Sequence, residues 1–143
     1  CFYFEEIGLS SRLKVIGDAA FSSCSELKDI TLPQSVEHIG DSAFYGCSSL
    51  TTVPAIPDSV TDIGGTAFTG SEIKTVTIGK GVTNIADHAF YGCDKLRDVY
   101  YNGVEEDWNS ITIGISNNHL NNAYSNTIIF HDNYLLKRRI SIL

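Results

Sequence analysis

The segments IGDAAFSSC, IGDSAFYGC, IGGTAFTGS and IADHAFYGC begin at Ile16, Ile39, Ile63 and Ile85, so one pattern returns after 23, 24 and 22 residues. No other feature constrains the fold as tightly. A unit of that length cannot enclose an apolar core by itself, whereas stacked copies bury one continuous core between them. Around the opening isoleucine the match widens to L-x-x-I-x-L-P-x-S-V-x-x-I-G-x-x-A-F-x-x-C. Leu27, Leu50 and Leu96 share one slot, Ile30, Val53, Val76 and Val99 the next, Leu32, Ile56 and Ile78 a third, and Val36, Val60 and Val82 a fourth. One residue gained in VPAIPDSV and one lost near TGSEIKTV account for the unequal offsets.

Each unit also specifies its local geometry. LKDITL (Leu27 to Leu32) alternates apolar and polar residues and stops at a proline, as a short strand does. Consecutive copies then pair in parallel, about 4.8 Å apart. SVEHIG (Ser35 to Gly40) predicts a second short extended segment on the far side, and DSAFYGC (Asp41 to Cys47) a single helical turn with an aspartate N-cap. Cys1, Phe4, Ile7, Leu9, Leu13 and Ile16 align without a gap with Cys24, Leu27, Ile30, Leu32, Val36 and Ile39. The chain is therefore expected to start partway through a repeat and to belong to a longer array.

These residues resemble the leucine-rich repeats named after the BspA-like surface proteins. The resemblance rests on the repeat unit and covers residues 1–101. VYYNGVEEDWNSITIGISNNHLNNAYSNTIIFHD (Val99 to Asp132) is similar to the segment that closes such arrays. The departures are Ser71 for cysteine, Ala86 for glycine, and Ser10 or Gly79 for proline; they bear on turn geometry. The resemblance implies a right-handed leucine-rich-repeat solenoid of the α/β class, with short parallel strands stacked every 22–24 residues and single helical turns between them. Residues 1–101 would be repeats, 102–132 a C-terminal cap, and 133–143 a tail whose order the sequence leaves open. It further implies secretion or display on a bacterial cell, adhesion to host proteins or other cells, and no catalytic residues.

Composition narrows the partners. A net charge of -7 disfavours nucleic acid and anionic membrane surfaces, which need a basic stripe. Cys1, Cys24, Cys47 and Cys93 occupy one slot, which Ser71 fills in the remaining turn. They read as small buried fillers with free thiols, because stacked equivalents project in parallel and do not point at each other. A bridge between neighbouring turns and a reactive thiol are the lesser alternatives. No C-x-x-C pair suggests a metal site. Asp18, Asp41 and Asp87 form a row that Gly65 interrupts, and read as caps of the helical turns. His38, His88, His119 and His131 share no ligand spacing and read as scattered surface residues. Neither a G-x-S-x-G elbow nor a glycine-rich phosphate loop is present.

What remains is the strand face. If the Leu27, Ile30 and Leu32 slots point inward, the outward residues are Asp29, Thr31, Thr52, Thr75, Thr77, Asp98 and Tyr100, with Glu6 and Gly8 before them. This strip is polar, mildly acidic and ends in an aromatic; a leucine-rich face of this kind suits protein binding. Tyr45 and Tyr91 suggest a second aromatic row, which Ser22 and Thr69 break. VEEDWNSI (Val104 to Ile111) reads as a short helix carrying Trp108 into the cap core, and NTIIF (Asn126 to Phe130) as a last strand. The function expected is a non-catalytic protein-binding or adhesion module, extracellular or at the cell surface, with a structural spacer as the alternative. Its partner would be a protein, such as host extracellular matrix or another cell surface; no cofactor, metal, nucleic acid or small-molecule substrate is expected.

Overall fold

The computed structural model describes residues 5–51, 55–120 and 127–131. In chain order the strands are β1 (Glu6–Ile7), β2 (Val15–Ile16), β3 (Asp29–Ile30), β4 (His38–Ile39), β5 (Asp62–Ile63), β6 (Thr75–Ile78), β7 (Asn84–Ile85) and β8 (Asp98–Tyr101), then helix α1 (Glu105–Asn109), β9 (Thr112–Ile113) and β10 (Thr127–Phe130). Among the described residues all pairings are parallel, and they form two ladders. The first holds β1 against β3 and, further along, β6, β8 and β10. Between those groups Ile56 bridges to Ile78, and the Lys74 N–H donates to the Thr51 carbonyl at 3.1 Å. The second ladder runs β2-β4-β5-β7-β9.

Register follows the repeat. Ile16, Ile39, Ile63, Ile85 and Ile113 lie side by side along the second ladder, and Val76, Val99 and Ile128 along the first. Each apolar residue therefore stacks on its own copy, and the repeats share a single core. The phenylalanines make this plainest. Phe21, Phe44, Phe68 and Phe90 form a column with ring centroids 5.3, 5.2 and 5.2 Å apart and planes within 16°. Offset stacking of that kind adds to the burial of the rings.

The segments between the ladders differ from the expected helical turns. Instead of a helix they form a chain of tight turns, in which Ala19, Ser42, Thr66 and His88 adopt left-handed backbone with φ of 53°, 56°, 54° and 61°. A side chain in that region is disfavoured, yet here it aims each N–H at the next coil. Those four amides donate to the carbonyls of Asp41, Gly65, Asp87 and Ile115. Phe21, Phe44 and Phe68 repeat the pattern two residues on, giving the solenoid a third line of inter-coil bonds.

The aspartates consequently do not cap helices. Asp18 Oδ1 accepts the N–H of Asp41 at 2.8 Å, Asp41 Oδ1 that of Gly65 at 2.7 Å, and Asp87 Oδ1 that of Ile115 at 2.9 Å. Each carboxylate staples its coil to the following one. Serines act in the opposite direction: Ser35 Oγ donates to the Leu13 carbonyl and Ser59 Oγ to that of Val36, both at 2.6 Å.

The segment after β8 continues the stack for one more turn. β9 extends the second ladder and β10 the first, with Ile113 beside Ile85 and Phe130 beside Tyr101. The coil is longer because α1 stands where two earlier coils have Pro-x-Ser. Trp108 on α1 is 7% exposed and meets the buried Tyr101 ring edge-on at 5.2 Å. Asn117, fully buried in the alanine slot, accepts the Phe90 N–H through Oδ1 at 3.0 Å. Its Nδ2 donates to the carbonyls of Ala86 and Gly114. A side-chain amide thus takes over the acceptor role that a backbone carbonyl plays in the other coils.

Two further expectations are corrected. Cys24 is disulfide-bonded, whereas Cys47 and Cys93 are buried free thiols. Its bond partner lies outside the described residues. His119 is buried and is no surface histidine; burial, the largest influence on it, lowers its imidazole pKa below the usual value. Thr52 and residues 132–143 lie outside the described residues.

Candidate protein-binding face

The outward residues of the first ladder are set by strand alternation. In β6 and β8 the side chains alternate between half-buried and buried, with Val76, Ile78, Val99 and Tyr101 inside. Thr75, Thr77, Asp98 and Tyr100 therefore share the outer side. Parallel register places Thr75 beside Asp98 and Thr77 beside Tyr100. Asp29 and Thr31 are exposed near the other end, where Asp29 pairs with Glu6. The six predicted residues that are described do not converge on one point. They are beads along a strip, and its C-terminal end brings four of them together.

The sequence reading missed β10's contribution. Thr127 lies beside Asp98 and Ile129 beside Tyr100. Read across the coils, the outer row becomes Gly8, Thr31, Ala55, Thr77, Tyr100 and Ile129, small at one end and bulky and apolar at the other. Next to the bulky end lies a recess of about 450 Å³ lined by Thr77, Tyr100, Tyr101, Asn102, Ile129 and His131. A smaller hollow of about 230 Å³ at the other end borders Gly8, Asp29 and Thr31. The short β-branched and aromatic run of NTIIF was the available signal for Ile129, but its partner strand required the length of the terminal coil.

Charge along the margin of the strip is mixed. Lys28 pairs with Glu5 at 3.0 Å. Arg97 Nη1 donates to the Asp94 carbonyl at 3.0 Å and to that of Leu96 at 3.2 Å. Asp58 Oδ1 accepts from the Lys80 N–H at 2.9 Å and from Asn102 Nδ2 at 3.3 Å. The Tyr101 hydroxyl donates to the Lys80 carbonyl at 3.5 Å. Burial first, then the nearby Asp107 and Asp58 carboxylates, raise its pKa. On the second ladder the outer row carries Val15, 49% exposed, and a His38–Asp62 contact at 3.1 Å. On the turn line Tyr45 and Tyr91 are exposed but lie on non-adjacent coils, with Thr69 between them.

Residues 1–126 match the profile of the BspA type leucine rich repeat region in six copies. The chain belongs to the BspA-type leucine-rich-repeat family. Solved structures agree with that assignment. A leucine-rich repeat protein of Treponema pallidum is 33% identical over 74% of this chain and 47% of its own, with a TM-score of 0.64. A leucine-rich repeat protein of Bacteroides ovatus is 31% identical over 66% of this chain and 30% of its own, at a TM-score of 0.57. A leucine rich cell surface protein of Faecalibacterium prausnitzii is 26% identical over 76% of this chain and 35% of its own, at a TM-score of 0.67. The chain thus spans less than half the length of these leucine-rich-repeat proteins. No curated protein sequence matches it.

Proposed function

We propose that this chain is a non-catalytic protein-binding module of a bacterial cell-surface or secreted protein, and that it adheres to host extracellular matrix or another cell through the outer strip of its first ladder. The observation that supports this most is the gradient along the outer row. Small residues leave the backbone accessible over several coils, and Tyr100 and Ile129 then stand above it at one end. Aromatic side chains beside a recess are the usual anchors of protein interfaces, surrounded by contacts of lesser energy. Asp29, Thr31, Thr75, Thr77 and Asp98 would supply the polar margin, with Thr52 taking its place by repeat position. Surface location is supported by the likeness to the leucine rich cell surface protein of Faecalibacterium prausnitzii.

Binding of the purified module to immobilised extracellular-matrix proteins tests this reading, with Tyr100→Ala, Thr77→Lys and Thr31→Lys in parallel. Saturable binding weakened by the substitutions, most by Tyr100→Ala, is expected. Removal of a central anchor typically costs about 2 kcal/mol or more, close to 30-fold in Kd. Absence of saturable binding, or equal binding by all variants, would leave the spacer role. That role is favoured by the continuous hydrogen-bonded interlock between coils.

A further inference from the structure

We propose that the recess beside Tyr100 and Ile129 receives a cationic side chain, arginine above all, from a basic segment of the partner protein. This inference rests on the protein-binding reading and names the chemistry that would be recognised. The recess volume, about 450 Å³, falls within the range of side-chain and small-ligand sites. Tyr100 and Ile129 lie side by side on neighbouring strands, an aromatic face and an aliphatic one. Together they suit a guanidinium carried on an apolar stem, since a planar cation stacks on a tyrosine ring while its methylenes cover aliphatic surface.

Charge decides between occupants. Asn102, which lines the recess, is bonded to the Asp58 carboxylate. Asp98 precedes Tyr100 by two residues on the same outer side. Asp107, on α1 behind Tyr101, acts on that ring together with Asp58. The carboxylates of Asp58, bonded to a lining residue, and of Asp98, on the same strand face as Tyr100, therefore lie beside the recess, and that of Asp107 acts on Tyr101, which also lines it. Of the nearby basic residues, Lys80 on the next coil gives its backbone N–H to Asp58, Arg97 is committed to two backbone carbonyls, and His131 is part of the lining itself. The chain as a whole carries -7. An anionic occupant would face these carboxylates, and a wholly apolar one would strip water from Asp58 and Asn102 with no hydrogen bond in return. A guanidinium supplies both the charge and the donors.

The molecule contains its own reporter, because Trp108 packs in a T-shaped contact on Tyr101, which lines the recess. The probe is Ac-Gly-Ser-Arg-Ser-Gly-amide, compared at pH 7.5 with the same peptide carrying lysine, citrulline or leucine. Amide shifts at Tyr100, Asn102, Ile129 and His131 and a change in Trp108 emission are expected with the arginine peptide. Its affinity should exceed that of the citrulline peptide about fivefold, as an exposed cation–aromatic contact with added charge attraction predicts. The preference should shrink in about 0.5 M salt, and Asp58→Asn and Tyr100→Ala should each weaken binding. Equal or tighter binding of citrulline or leucine overturns the cationic assignment. So does absence of any shift with arginine while matrix-protein binding stays sensitive to Tyr100→Ala, an outcome that spares the protein-binding reading. Loss of both responses removes that reading as well.

Discussion

Phe68 is the residue on which the stacking argument can be broken. It is 1% exposed and lies between Phe44 and Phe90, each ring 5.2 Å away. Truncating a buried phenylalanine to alanine costs about 3–5 kcal/mol, depending on how far the site can collapse. Collapse is restricted here, because the Phe44 N–H is bonded to the Ala67 carbonyl at 2.8 Å and the Phe68 N–H to that of Ala89 at 2.7 Å. Those bonds hold the flanking coils at their spacing, so Phe68→Ala should fall near the upper end, about 4–5 kcal/mol. Phe21 provides the contrast: it is half-buried and stacks on Phe44 alone among the described residues. Phe21→Ala should cost about half as much, near 2 kcal/mol. Set against a total stability of about 5–15 kcal/mol, the first change lowers Tm by roughly 10–15 °C. Urea unfolding followed by far-UV circular dichroism and by Trp108 fluorescence measures both, and a reduced m-value would reveal coils that unzip before the rest. If the two variants agree within about 0.5 kcal/mol, or Phe68→Ala costs under about 2 kcal/mol, the column is not the cooperative element described above.

Further outcomes follow from the staples, a glycine and the thiols. Asp41→Ala should destabilise by about 1–2 kcal/mol through loss of the bond to the Gly65 N–H, whereas Asp41→Asn, which keeps an acceptor oxygen, should cost less than half of that in the same urea titration. Gly81 occupies the slot of Ser35 and Ser59, yet Gly81→Ser should lose about 1–3 kcal/mol despite restoring the repeat pattern, because a Cβ there would lie 2.0 Å from the Asp58 carbonyl oxygen; an unchanged urea midpoint contradicts this. Burial pushes the Cys47 and Cys93 thiols from 9.0 up to about 11, so between those values the unfolded chain loses protons that the folded one keeps, and stability falls as pH rises through that window. A Cys47→Ser, Cys93→Ser double variant should show a shallower decline in urea midpoint from pH 9 to pH 11 than the parent, while equal slopes would place the effect elsewhere.

The sequence by itself determined the solenoid, its period and the membership of its core. Ile16, Ile39, Ile63 and Ile85 could be placed in one row from their spacing alone, because a repeated unit must meet its copy in the same register. The outward positions of β6 and β8 were legible for the same reason, through strand alternation. Tertiary structure decided what depends on the neighbouring coil. Asp41 looks like a helix cap when only its own unit is considered; its partner, the Gly65 N–H, belongs to the next one. Cys24 looked like a free filler beside its copies but is disulfide-bonded, and nothing in the pattern marked the 2.0 Å that would separate a Cβ on Gly81 from the Asp58 carbonyl oxygen. Ile129 joined Tyr100 only when the terminal coil closed through α1, a length no repeat predicted. A periodic pattern records which residues stack, since that is conserved from unit to unit by geometry. It carries no record of hydrogen bonds and close approaches between units, which are settled by distances of a few tenths of an ångström.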